Sequence, residues 1–542
     1  MSLSMIDLVV VVIYAIGIFS LAQYVSREKA GHQKDTSDYF LASKNLPWWA
    51  IGASLIAANI SAEQIVGMSG SGYAIGLAIA SYEWMAAATL LIVGKFFLPI
   101  FLKNHIYTMP QFLERRYGGL IRTLMAIFWL ALYVFVNLTS IIWLGSIAVN
   151  KVAGIDQNIA LVILGSFALL YQIKGGLKAV ALTDIVQVTL LVLGGLVVAY
   201  LTLTQIGGGD LFGGFHKLVA NAPDHFHMIL KKGDPHYIDL PGLSVLIGGM
   251  WIANVSYWGF NQYIIQRALA AKSLDEAQKG VIFASFLKLL MPLIIVLPGI
   301  AAVTLAPDLP KPDQAYPTMM RLLPPGLLGL VFSALVAAII SSTASKINSI
   351  ATIFTLDVYA KRRHERTRAE DDSAESAREE HHLVLVGRIT AVIAIVIAII
   401  AARPLVGSSE QAFQFIQEFT GFFTPGICVI FLLGLFWKRA NEAGAIVAAV
   451  TSVALSTIMK YTLPSPMLSS GVNEYLTPFI NRMGVVFAVS ALLCIVVSLV
   501  TPQRSGADTI DTHEVRYKTS AGFNIGALGV VLILVALYAT WW

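Results

Sequence analysis

Long apolar runs recur along the chain, each about the length that crosses a bilayer, and short stretches rich in charge, glycine or proline separate them. About 20 helical residues span the hydrocarbon core of a membrane. The pattern therefore predicts an all-α integral membrane protein with about fourteen transmembrane helices. These candidate helices lie near residues 5–26, 48–75, 80–103, 121–150, 157–174, 182–205, 241–269, 277–305, 326–360, 384–403, 410–437, 441–462, 479–500 and 522–541.

Two of these runs carry polar side chains near the middle. The second contains AANISAEQ at residues 57–64, and the seventh contains WIANVSYWGFNQ at residues 251–262. Polar groups at membrane depth persist mainly where they face a cavity, a partner or an ion pathway. We therefore expect both helices to be broken. The Gly- and Ser-rich stretch at residues 67–72 predicts turns directly after the first break.

The two interruptions indicate an internal repeat. Helices two to six (48–205) and helices seven to eleven (241–437) each begin with an interrupted helix. Because each set holds five helices, the second set enters the membrane from the opposite side, and the broken helices of such inverted repeats point to a site at the midplane. Residues 1–47 would add a helix and a cytoplasmic loop, residues 206–240 an extracellular loop, and residues 438–542 the last helices.

Charge orients these helices in the membrane. Hydrophobic residues make up 57% of the chain and charged residues only 13%, which excludes an ordinary soluble domain. With the N-terminus outside, most of the 37 Lys and Arg residues fall on inward-facing flanks, and both termini lie on the outer side of the inner (plasma) membrane. Cys428 and Cys494 both fall inside predicted spans, so they suggest neither a disulfide framework nor a metal site.

Six segments match motifs of one known family. They are DYFLA (38–42), ASLIAANISAEQ (53–64), ASYEWM (80–85), GGLKA (175–179), YWGFNQYIIQR (257–267) and GLFWKR (434–439). On these segments the chain resembles the sodium/solute symporters, and within them the bacterial sodium/galactose or glucose cotransporters. The resemblance implies a LeuT-like five-plus-five inverted repeat, and a symporter that couples inward Na⁺ flow to uptake of a neutral hexose by alternating access.

The resemblance also implies a sodium site between the second and ninth helices. The matching positions are the carbonyls of Ala57, Ile60 and Ala338 and the hydroxyls of Ser341 and Ser342. Sodium is a hard cation that prefers oxygen ligands. With a rise of about 1.5 Å per residue, both groups lie near the middle of their helices. Taken alone, the two serines are also typical small packing residues of membrane helices.

A sugar presents hydroxyls together with apolar C–H faces, so its site should combine donors, acceptors and a flat aromatic ring. The resemblance implies six polar sugar contacts, namely Gln64, Glu83, Asn137, Asn254, Lys288 and Gln417. An unpaired ammonium at the centre of a span is costly, so we expect Glu83 to pair with Lys288. Cancelling charges suit a neutral polyol better than a carboxylate substrate. Each amide taken alone could equally form an interhelical hydrogen bond.

The gates implied by the resemblance are hydrophobic and aromatic. Met68, Tyr82 and Phe413 match an outer lid, whereas Tyr257 matches the inner gate with Trp258 beside it. The face of a tyrosine can stack on the apolar side of a pyranose while its hydroxyl is anchored by a neighbour. Aromatic residues in membrane helices are otherwise ordinary packing residues.

Four residues are left with open roles. Asp184 matches a family acid on the inner sodium route, but at the predicted start of the sixth helix it would also suit an N-cap. Ala86 stands where the family's sugar site has a serine, so one hydroxyl contact is lost. Lys346 is unusual for its motif and could snorkel inward or lie in the cytoplasmic exit. Glu63 has no assigned role.

Three other functions compete with hexose symport. One is a sodium-coupled symporter of another small solute, such as an inositol, proline or another osmolyte. A second is a membrane sugar sensor that binds without transport. An embedded enzyme is the weakest, since no predicted span carries paired carboxylates or a nucleophile with its base. The expected partners are a hexose, sodium as the co-transported ion, and membrane lipid, with no nucleic acid.

Overall fold

The computed structural model describes residues 3–26, 46–106, 108–174, 177–360, 373–503 and 515–542. Two of the matching segments therefore lie partly or wholly outside the described residues, at 38–42 and 175–179. Helices dominate throughout the described ranges, as the apolar pattern predicts.

The helices follow the predicted order, and we number them α1 to α14. Their bounds are α1 Met5–Ser26, α2a Trp48–Asn59, α2b Glu63–Ala74, α3 Leu77–Lys103, α4 Gly119–Ala153, α5 Gln157–Lys174, α6 Leu177–Gly207, α7a Gly249–Val255 continued by Ser256–Phe260, α7b Gln262–Leu269, α8 Leu274–Leu305, α9 Leu327–Thr352 continued by Ile353–Ala360, α10 Ser373–Leu405, α11a Ala412–Thr420, α11b Thr424–Phe436, α12 Glu442–Thr462, α13 Phe479–Val500 and α14 Ala521–Trp541. Short helices at Met109–Arg116, Leu211–Asn221, Leu243–Ile247, Ala315–Met320 and Ser470–Leu476 lie between them.

Length and composition support a membrane protein with many spans. Among the described residues, 9 helices are long and apolar enough to cross a membrane, or 11 if each of two bent pairs counts as one span. Two further apolar helices, Met5–Leu21 and Gln157–Gln172, are shorter. The all-α membrane class is confirmed, whereas the number fourteen stays a prediction.

The expected break in α2 is present. α2a and α2b meet at an angle of 66°, and Ile60 between them is extended, with φ −72° and ψ 114°. In a regular helix Ser61 N–H would donate to the Ala57 carbonyl, but here it donates to the Gln64 side chain at 3.3 Å. Likewise Glu63 N–H donates to the Ser61 hydroxyl at 3.2 Å. Side chains of the polar stretch therefore replace backbone partners at the break.

The prediction of turns at residues 67–72 is wrong, because this stretch is helical within α2b. Its glycines serve close packing instead. A Cβ on Gly70 would lie 2.8 Å from the Asp313 backbone, and one on Gly72 would lie 2.9 Å from the Val296 carbonyl oxygen. The missing side chains thus let α2b approach α8 and the loop that follows α8.

α7 is also interrupted as expected. Asn261 is extended, with φ −82° and ψ 118°, and separates α7a from α7b. A third break, which the sequence analysis did not predict, bends α11 by 43° between α11a and α11b. Gly421 and Pro425 stand at this bend, and such residues are the signal that could have indicated it.

Several helices contain π-helical turns, which hold an extra residue and occur often at functional sites. Those at Glu63–Met68, Tyr133–Leu138 and Ser256–Phe260 carry residues singled out by the sequence analysis. The N-terminal end of α9 is held by α1, since the Asp7 carboxylate accepts from Gly326 N–H at 2.7 Å and from Gly329 N–H at 2.8 Å. This contact fixes the helix that carries the candidate sodium hydroxyls.

Candidate functional site

A cavity lies between the helices, bounded by α2, α3, α4, α7, α8, α11 and α13. Most of the predicted binding and gate residues meet on its wall. Those on the wall are Gln64, Met68, Tyr82, Glu83, Asn254, Tyr257, Trp258, Lys288, Phe413 and Gln417. Ala86 lies there too, at the position of the missing hydroxyl. Both broken helices thus contribute to one site, as the inverted repeat predicts.

The expected pairing of Lys288 is present. Its ammonium donates to a carboxylate oxygen of Glu83 at 2.5 Å and to the side-chain oxygen of Asn59. Trp258 adds its ring face, whose centre lies 5.2 Å from the Lys288 nitrogen. Lys288 is 1% exposed and Glu83 3%, so the two charges compensate each other away from water. The Lys288–Glu83 pair therefore makes the cavity wall polar without adding net charge to it.

Asn59 extends this pair toward the inner gate, and sequence reasoning missed its role. Its amide nitrogen donates to the Tyr257 hydroxyl at 3.0 Å. The Tyr257 hydroxyl in turn lies 2.6 Å from that of Tyr263 on α7b. A continuous line of polar contacts thus runs from Lys288 to Tyr263. The position of Asn59 inside the polar interruption was the available signal.

Three hydroxyls on the cavity wall have no hydrogen-bond partner among the residues that the structure describes. They belong to Tyr82, Thr420 and Thr424. Buried hydroxyls are normally paired, so these groups are suited to a ligand or to water. Thr420 and Thr424 flank the unpredicted bend in α11, which explains why the sequence analysis did not select them.

The side of the cavity that carries the predicted outer-lid residues is closed. Tyr82 and Phe413 pack edge to face with ring centres 5.1 Å apart, and Met68 and Phe413 are each 1% exposed. Above them the Ser71 hydroxyl donates to the Gln411 side chain at 2.9 Å. The first contact joins α3 to α11a, and the second joins α2b to the residue before α11a. The three predicted outer-lid residues therefore lie in one closed seam.

Asn137 is not brought to the cavity wall. Its side chain instead lies beside the Glu63 carboxylate. Both residues lie in π-helical turns, on α4 and α2b respectively. A direct sugar contact by Asn137 stays a prediction.

The candidate sodium ligands lie at the break of α2 and in the middle of α9. Ala57, Ile60, Ala338 and Ser341 are buried, whereas Ser342 is partly buried. The Ser341 hydroxyl donates to Asp184 at 2.6 Å. Carbonyl, hydroxyl and carboxylate oxygens of this kind fit a hard cation.

Asp184 lies well inside α6, which begins at Leu177 and not near residue 182. Its interpretation as an N-cap is therefore wrong. Besides Ser341, its carboxylate faces Arg267 at 4.0 Å, and Arg267 donates to the Ser54 hydroxyl at 2.5 Å. Asp184 thus connects α9 to α2a through α7b, a position consistent with the inner sodium route.

Broken helices that meet around a buried polar cavity, beneath an aromatic seam, define a secondary transporter of the inverted-repeat class. A solved structure of a Na⁺-coupled sialic acid symporter has the same fold. Its TM-score is 0.72 at 22% identity, with 92% of this chain and 99% of that chain covered.

The chain belongs to the sodium:solute symporter family, whose model matches residues 39–452. Sodium is accordingly its coupling ion. The sodium/glucose cotransporter of Vibrio parahaemolyticus is 48% identical, over 100% of this chain and 99% of the relative. The sodium/myo-inositol cotransporter 2 of Mus musculus is 33% identical, over 83% of this chain and 69% of the relative. The chain is thus a multi-pass membrane transporter.

Proposed function

We propose that this transporter couples inward Na⁺ flow to the uptake of a neutral hexose, galactose or glucose, by alternating access. The observation that carries the proposal is the self-compensated Lys288–Glu83 pair beside unpaired hydroxyls on the wall of a single cavity. Such a site offers donors and acceptors without net charge, which suits a polyol. The full-length similarity to a sodium/glucose cotransporter supports the same substrate class.

In the proposed site, Gln64, Glu83, Asn254, Lys288 and Gln417 bind sugar hydroxyls, and Tyr257 stacks on the ring. The aromatic rings of Tyr82 and Phe413, with Met68, close the outer side. Of the polar contacts first expected, Asn137 is the one that does not lie on the cavity wall.

The proposed sodium ligands are the carbonyls of Ala57, Ile60 and Ala338 and the hydroxyls of Ser341 and Ser342. A sodium ion there would link the break of α2 to α9, and because Gln64 follows that break directly, the ion would order part of the sugar site. When the ligand of one site orders another site, it raises the affinity of that second site. This change in affinity is the coupling free energy that symport requires. Asp184 would lie on the route by which sodium leaves.

Energetics allow useful accumulation. One sodium ion supplies about 2.3 kcal/mol per 100 mV of membrane potential and about 1.4 kcal/mol per tenfold concentration ratio. Together these would concentrate a neutral sugar on the order of several hundredfold. We further propose that both termini lie outside the plasma membrane, which the distribution of basic residues favours.

The test is uptake of labelled galactose by proteoliposomes with and without an inward sodium gradient. We expect sodium-driven uptake in the wild type, and its loss in Lys288→Ala and in Gln64→Ala. Lys288→Ala leaves the Glu83 charge buried and unpaired, whereas Gln64→Ala removes only a neutral contact. Lys95→Ala, at an exposed position of α3, is the control and should transport normally. Wild-type uptake in both site variants would exclude the proposed site.

Competition by glucose, myo-inositol and proline against labelled galactose distinguishes the substrate classes. If the substrate is a hexose, glucose should inhibit galactose uptake most strongly. Stronger inhibition by myo-inositol would favour myo-inositol as the substrate, as in the name of one relative. Sodium-dependent binding without flux would instead favour a sensor.

A further inference from the structure

Lys346 brings a second ammonium into the interior of the helices, and the sugar site does not use it. The residue is 7% exposed, on α9. Its nitrogen lies 3.9 Å from the ring centre of Tyr263 and 4.8 Å from that of Tyr133. Rings in this position attract a cation through their electron-rich faces. A buried ammonium nevertheless needs a negative charge in order to persist at membrane depth.

Glu63 is the carboxylate that acts electrostatically on Lys346. It begins α2b, directly after the break, and lies beside Asn137. One of its carboxylate oxygens is buried and has no hydrogen-bond partner in the described part of the protein. The free oxygen leaves the negative charge of Glu63 available to a neighbouring cation.

Lys346 lies about one helical turn beyond Ser342, and Glu63 begins the helix that follows the extended Ile60. Glu63 follows Ile60 by three positions on α2, and Lys346 follows Ser342 by four on α9. Side chains on a helix lean toward its N-terminus, so the Lys346 ammonium leans back toward the level of Ser342. An incoming sodium ion would therefore meet an ammonium and a carboxylate on the two helices that carry its ligands.

We propose that Glu63 and Lys346 form a charge-compensated pair that sets the sodium affinity of the junction between α2 and α9. Lys346 lowers the affinity by repulsion, and Glu63 restores it by cancelling that charge. The inference rests on the sodium coupling proposed above.

Equilibrium binding of ²²Na⁺ to purified protein tests the pair. Glu63→Gln leaves Lys346 uncompensated and should raise the half-saturating sodium concentration by ~10-fold, the size expected for a unit charge several ångströms away in a partly polar interior. Lys346→Met leaves Glu63 free to attract sodium and should lower that concentration. The double variant should return toward the wild-type value. Lys346→Arg keeps the charge and should remain close to wild type.

Two readouts separate charge compensation from structural damage. At saturating sodium, the half-saturating galactose concentration should stay unchanged in Lys346→Met, because the sugar contacts are untouched. Lys95→Met removes an exposed lysine of α3 and should leave sodium binding unchanged. Lys346→Met is expected to strengthen sodium binding, and a misfolded protein would not bind sodium more strongly. The prediction for Lys346→Met therefore remains testable if Glu63→Gln fails to fold.

The inference is overturned if Lys346→Met binds sodium as the wild type does or more weakly. It is overturned equally if the double variant binds no more tightly than Glu63→Gln. Wild-type protein that shows no sodium-driven uptake contradicts the proposed function itself. Sodium-driven uptake in the wild type, together with unshifted variants, removes only the role of this pair.

Discussion

Lys288 shows why a buried charge restricts the ligands of a cavity. Its ammonium is already satisfied by Glu83 and Asn59, so a carboxylate ligand would have to displace one of them. A neutral hydroxyl can instead join the pair as donor or acceptor. Removing one partner of such a pair typically costs about 3–5 kcal/mol, since the other charge stays buried alone.

Ala86 offers a test of substrate contact at the scale of one atom. It lies on the cavity wall and is 2% exposed. We expect Ala86→Ser to lower the half-saturating concentration of galactose by ~2- to 10-fold, because one added hydrogen bond contributes about 0.5–1.5 kcal/mol. Uptake kinetics in proteoliposomes measure the change.

A series of deoxygalactoses provides the control for this substitution. The sugar that lacks the hydroxyl facing residue 86 should gain nothing from Ala86→Ser, while the others keep the gain. An equal change for every sugar would mean that the serine acts on the protein and not through a contact.

For single residues, the sequence predicted a hydrogen-bonding or charged partner best where a buried charge required one. An ammonium at membrane depth required a carboxylate, and Glu83 was found beside Lys288. The role of Asn59 was not predicted, because an amide can satisfy itself in many ways. Asn137 was expected at the sugar but lies against Glu63, since its direction depends on the π-helical turn that carries it.

Among the helices, α2b shows that a glycine-rich sequence does not by itself predict turns. Glycine favours turns, but it also allows two backbones to approach closely. In α2b the second property decides, because Gly70 lies against Asp313 and Gly72 against Val296. These contacts are distant in sequence, so the local pattern alone favoured turns.

Gly70→Ala should prevent the close packing of α2b against the loop that follows α8. A Cβ there would lie 2.6 Å from a carboxylate oxygen of Asp313 and 2.8 Å from its Cα, so the closed contact between α2b and this loop would be lost. We expect sugar binding from the outside to persist while sodium-driven uptake is abolished. Equilibrium binding of labelled galactose, compared with uptake in proteoliposomes, measures the two properties separately.

Gly471→Ala is the matched control, since nothing lies within 4 Å of a Cβ at that position. It should bind and transport as the wild type does. Normal uptake by Gly70→Ala would mean that α2b and the loop after α8 can move apart and still support transport.

For the molecule as a whole, hydropathy predicted the class and the helix order, because burial in lipid requires long apolar helices. Helix ends were less certain, as the earlier start of α6 shows. The bend in α11 was missed, since Gly421 and Pro425 are compatible with a continuous membrane helix. The division into two repeats with outer segments stays a prediction.

The orientation can be measured with single cysteines. Lys231→Cys, in the loop after α6, and Arg439→Cys, in the loop after α11, occupy exposed positions. With the termini outside, a membrane-impermeant maleimide should label Lys231→Cys on intact cells and Arg439→Cys only after permeabilisation. The native Cys428 and Cys494 are buried, so the unsubstituted protein serves as the unlabelled control. The reverse pattern would invert the assigned topology.

The π-helical turns affect how relatives should be aligned with this chain. Each holds one residue more than an α-helical turn, as though a single residue had been inserted. Deleting one residue from Ser256–Phe260 would rotate Asn254 relative to everything beyond the turn by about 100°. If an alignment places a one-residue gap on the wrong side of this turn, a binding residue of a relative is matched to a residue of this chain on another face of the helix.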